Sequence, residues 1–102
     1  MKRSNRIQMA VEVYESLRRN NIKDDVVRRC RIVFIKQFCN AVESLFTAEN
    51  AAKKASTAWV LCLAKCEVQS RESAVFNAAG RLATSLGNSG GLDSLKNLGE
   101  RI

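Results

Sequence analysis

From Met1 to Ala79 the chain contains neither proline nor glycine, and all five glycines lie at or beyond Gly80. These two residues are the strongest interrupters of regular backbone, proline by steric clash and a missing donor, glycine by conformational freedom. A stretch of that length without either, rich in Ala, Leu, Glu, Lys, Arg and Gln, has little choice but helix joined at polar corners. The expected fold class is therefore all-α, a small bundle of about four helices plus a short C-terminal helix.

A chain of 102 residues at 46% hydrophobic and 26% charged has the composition of one globular domain rather than a disordered tail. No apolar run approaches the ~18–20 residues of a membrane span, so no membrane partner is expected. The first residues are basic, but Glu12 and Glu15 interrupt the segment that follows, which does not read as a secretory signal. The expected address is the cytoplasm, or the host cytoplasm or nucleus for a chain encoded by a virus or mobile element.

Helix one is expected from about Asn5 to Arg19 with Ser4 as its N-cap, because Ile7, Ala10, Val11, Tyr14 and Leu17 recur at three- and four-residue steps. The polar corner from Asn20 to Asp24 supplies a cap for helix two, which is expected to reach about Phe46. That helix carries Val27, Cys30, Phe34, Phe38, Ala41, Val42 and Leu45 on one broad face, with Ile32, Val33, Ile35 and Phe46 around its sides. A helix apolar over so much of its circumference is central or shared with another chain, and a homodimer is the expected assembly. Thr47 reads as a break, helix three as about Ala48 to Gln69, with Ala52, Ala55, Trp59, Cys62 and Cys66 as its buried stripe. Ser70 reads as a further cap before helix four, about Arg71 to Leu86, although the two could fuse into one rod without a glycine between them. Gly87 is placed as the residue that ends the helix. The expected organisation is a bundle domain over 1–86, a Gly-rich linker over 87–91 and a short terminal helix or tail over 92–102.

Catalytic chemistry has no footing in these residues. With no histidine, the usual neutral-pH base and the commonest metal ligand are both missing. The glycines do not form a phosphate loop, and Asp24 and Asp25 are adjacent, which suits caps better than a carboxylate pair. The cysteines, Cys30, Cys39, Cys62 and Cys66, lack the paired spacing of a zinc site and read as reduced core residues. The expected protein is not an enzyme, with no cofactor and no metal.

Charge is the remaining clue. Through Lys36 ten basic residues face four acidic ones, a net +6, which leaves only +1 of the formal +7 to the rest of the chain. Segregation of that kind suits a polyanion, and the expected contacts are Lys2, Arg3, Arg6, Arg28, Arg29, Arg31 and Lys36. Arg28, Arg29 and Lys36 share an arc of about 100° on helix two. Arg31 falls between Phe38 and Val42 on the apolar face, where it snorkels, pairs across an interface or lines a groove. Nothing resembles a set of base-reading side chains, so the leading expectation is a nucleic-acid-binding accessory protein that prefers RNA or a duplex backbone. The alternative is a helical protein-interaction module, an adaptor, inhibitor or assembly subunit, docking through the apolar faces and the run around Trp59.

Overall fold

The structure, a computed structural model, describes residues 3–20, 25–87 and 90–95, with side chains described for 3–18, 32–87 and 90–95. Three α-helices follow one another, α1 (Asn5–Asn20), α2 (Asp25–Lys53) and α3 (Ala58–Ser85), and a 3-10 turn closes the described chain at Gly91–Leu95. There is no strand among the described residues. The all-helical class is as expected. The helix count is not: two long helices stand where three were expected.

The start of α1 agrees with the sequence. The Ser4 hydroxyl accepts a hydrogen bond from the Ile7 amide at 3.3 Å, which satisfies a donor that the first turn leaves free. Ile7, Ala10, Val11, Tyr14 and Leu17 are all buried, and Val13 joins them.

Thr47 does not break α2. Its hydroxyl donates back to the Glu43 carbonyl at 3.2 Å, a bond made inside a helix, so the side chain never competes for a cap. The break comes at Lys54–Thr57 instead, where the Ala55 amide tightens onto the Ala52 carbonyl at 3.3 Å. Thr57 then adopts an extended conformation, and its hydroxyl accepts from the Val60 amide at 3.2 Å to start α3. Ser70 lies exposed in mid-helix, and the backbone runs through it without interruption. Helices three and four are thus one rod. Gly87 ends it with φ of +81°, the left-handed value that glycine takes without Cβ strain, and its amide bonds to the Thr84 carbonyl at 3.0 Å.

Phe38, Val42 and Leu45 of α2 share one solvent-excluded core with Val75, Ala79 and Leu82 of α3. Phe34 and Ala41 are only partly buried, while Ile35, expected at the side, is buried. Val27 and Cys30 lie outside the described side chains. α1 lies across the α2–α3 pair, with Tyr14 edge-on to Phe46 at 5.6 Å between ring centroids. Leu92 and Leu95 of the 3-10 turn dock back on α3 and α1, so the end of the expected linker is the start of a packed element. Leu98 and Ile102 of the expected terminal helix lie outside the described residues. The molecule is elongated, 49 × 24 × 21 Å.

Two substitutions test this arrangement. Phe38→Ala removes a fully buried ring and should cost about 3–5 kcal/mol in chemical denaturation. Gly80→Ala should instead add roughly 0.5–1 kcal/mol, because helix propensity rises and a Cβ at Gly80 meets nothing within 4 Å.

Candidate interaction surfaces

The expected cationic residues do not gather into one free patch. Arg3 is held by Glu49, with Nη2 to Oε1 at 2.9 Å and Nε to Oε2 at 2.9 Å, and its guanidinium lies 5.2 Å from the Phe46 ring centroid. The hydrogen bond to Glu49 raises the Arg3 pKa, outweighing partial burial. This fork joins the start of α1 to the last turns of α2, which is a structural duty. Arg6 is exposed and lies over Phe76 of α3 at 5.3 Å. Lys36 is exposed on the first half of α2, about 15–20 Å along the helix from the Phe46 and Glu49 level. Lys2 lies outside the described residues. Arg28, Arg29 and Arg31 sit on the first two turns of α2, and their side chains lie outside what is described. Arg18 pairs with Glu43 at 3.5 Å and donates to the Tyr14 hydroxyl at 3.3 Å.

The apolar surface lies where burial was expected. Trp59 is 71% exposed, Leu63 54% and Val60 45%. Cys62 and Cys66 beside them are exposed as well. The expected stripe of Ala52, Ala55, Trp59, Cys62 and Cys66 fails because it carries one helical phase across the corner at Lys54–Thr57, where the phase resets. Of that expected stripe only Ala52, on α2, is buried. On α3 the core face is set by Val68, Val75 and Leu82, spaced by seven, and projecting that face back reaches Leu61 and Ala64, not Trp59. Trp59, Cys62, Leu63 and Cys66 point away from the core. That heptad was readable in the sequence and was hidden by the assumed break at Ser70.

The cysteines also depart from expectation. Only Cys39 is half-buried, Cys62 and Cys66 are exposed, and the Cys30 side chain lies outside the described residues. No group of three or more potential metal ligands occurs among the described residues. No described helix is long and apolar enough to cross a membrane.

Three surface depressions accompany these features. One of about 470 Å³ lies between the start of α1 and the α2–α3 pair, walled by Arg3, Glu49, Lys53 and Glu72. A more open one of about 590 Å³ surrounds Gly80, with Phe34, Phe76 and Asn77 in its lining. A third of about 280 Å³ flanks the exposed apolar face, between Leu61, Cys62, Lys65 and Gln69. Comparison with protein-family models, curated proteins and solved structures returns no match.

Burial raises the pKa of the Tyr14 hydroxyl, and burial likewise raises that of the Cys39 thiol. Both groups are held protonated in the folded chain beyond their ordinary values of 10.0 and 9.0. The stability they support is complete below those values and is lost as pH rises through the folded pKa values. Melting temperature should therefore fall from about pH 9 upward, and the double variant Tyr14→Phe, Cys39→Ala should show a shallower fall over the same range.

Proposed function

We propose that the chain is a non-catalytic helical interaction module that docks a protein partner through the outward face of the first turns of α3. The observation that supports this most directly is Trp59. A tryptophan at 71% exposure, with Val60 and Leu63 exposed beside it, forms an apolar patch with no cover among the described residues. Contiguous apolar patches with a large aromatic at their centre are characteristic of docking sites rather than of free surface. The face is carried on a helix that starts at the Thr57 cap, which presents Trp59 and Leu63 on its outward side.

A photoreactive side chain at Val60, in the full chain expressed in cells, should form discrete protein adducts. Replacing Trp59 and Leu63 by Ala should remove them while circular dichroism stays unchanged. Absence of any protein adduct with the folded chain rejects the docking face.

A second reading, nucleic-acid binding through the basic first third, rests on the charge asymmetry and on exposed Arg6 and Lys36. Neither has a carboxylate partner among the described residues. Backbone contact with RNA or duplex is favoured over base reading, and binding should weaken steeply with salt. The quadruple change of Arg6, Arg28, Arg29 and Lys36 to Glu should abolish retention of duplex RNA in low salt. A wild-type chain that retains neither duplex nor single strand at low salt overturns this reading.

A further inference from the structure

We infer that Cys62 and Cys66 form a two-coordinate thiolate site on the outside of α3 for a soft monovalent metal ion of the copper(I) class. The inference does not depend on the docking reading. It assigns a ligand to two residues that the core does not use.

Exposure is the first observation. Free cysteine is among the most buried residue types, and at a surface its reactivity matters more than its packing. Both thiols here are free and exposed. Neither belongs to the core or to the residues packed against it, whereas Cys39 does pack there.

Spacing is the second. The two residues lie one turn apart on an unbroken helix, so their Cβ atoms stand about 5–6 Å apart on one face. A disulfide needs about 3.5–4.5 Å between Cβ atoms, and the sulfurs therefore do not bond each other while α3 is intact. A single ion can span what the sulfurs alone cannot. Two metal–thiolate bonds of about 2.3 Å, placed in line, cover roughly 4.6 Å between sulfurs that rotate toward each other.

The number of donors selects the metal. Structural zinc takes four ligands, and no third potential metal ligand is grouped with the pair among the described residues. Glu67, next in sequence, is engaged by Arg71 at 2.6 Å. Soft thiolates favour copper(I), a closed-shell ion that is satisfied by two donors in line.

The surroundings suit the resulting charge. Binding replaces two S–H bonds by two S–metal bonds, two protons leave to solvent, and the metal keeps its oxidation state. Two thiolates and one monovalent cation leave a single net negative charge. The depression of about 280 Å³ that both cysteines line also holds Lys65. Lys65 is exposed and has no ion-pair partner among the described residues, so its ammonium is placed to offset that charge. Trp59, the only tryptophan of the chain, lies one turn before Cys62 and supplies a built-in reporter.

The full reduced chain, titrated anaerobically with copper(I) against a chromogenic copper(I) chelator, should retain one ion per chain. A thiolate-to-metal absorption band should appear, and Trp59 fluorescence should be quenched with the same endpoint. Cys62→Ser and Cys66→Ser should each weaken retention about a hundredfold or more with helicity unchanged, because the second thiolate binds intramolecularly. Cys39→Ala should retain the ion as wild type does, and Lys65→Glu should weaken it about threefold. Failure of the wild type to hold copper(I) against the chelator overturns the inference. So does equal retention in either single serine variant, or an endpoint at half an ion per chain, which would mean a metal bridging two molecules.

Discussion

Phe38, Val42 and Leu45 on α2, with Val75, Ala79 and Leu82 on α3, are wholly excluded from solvent, and this helix pair makes the most extensive contact in the molecule. The small side chains of Ala78, Ala79 and Ala83 are buried beside them on α3. α1 and the 3-10 turn depend on this pair. Neither α1, with one buried stripe, nor five residues of 3-10 turn could stay ordered without the groove that the long helices form. The pair is also longer than α1 can cover, and that excess length leaves the start of α3 without a neighbour on its outward side.

Much of this was legible in the sequence. The stripe of α1, the Ser4 cap, the central position of α2 and the stop at Gly87 each rest on a local signal that tertiary packing left in place. The errors have a common physical origin. Thr47 and Ser70 read as caps because hydroxyls favour helix ends, yet a hydroxyl can satisfy itself on the preceding turn, as Thr47 does on Glu43. Once a helix is cut in the wrong place, every later residue inherits a wrong phase. A wrong phase of that kind moves Trp59, Cys62 and Cys66 from the surface to the core. No propensity scale corrects it, since only the seven-residue recurrence of Val68, Val75 and Leu82 carries the phase through Ser70.

Charge counts in the sequence likewise say little about which cations are free. Arg3 belongs to the basic first third, but in the fold it is a strut, forked onto Glu49 and laid over Phe46. Arg18 serves Glu43 and Tyr14. Arginine is suited to such work because its planar fork and flat face engage a carboxylate and a ring together. The positive field of the chain is unaffected by these pairings at long range. Its close contacts fall instead to the remaining residues, Arg6 and Lys36 among them.

The corner at Lys54–Thr57 has a further consequence. No residue from Ala58 to Glu67 is fully buried and only Ala64 packs against the core, so these opening turns of α3 are held mainly by the Thr57 cap, by helix propensity and by their join to the packed remainder. Local stability follows burial, so amide hydrogens there should exchange by local opening rather than by global unfolding. A surface that is both apolar and locally labile couples recognition to order. Whatever covers Trp59 also closes the fraying equilibrium beneath it, so protection against exchange at that end reports occupancy of the face more directly than any change in shape.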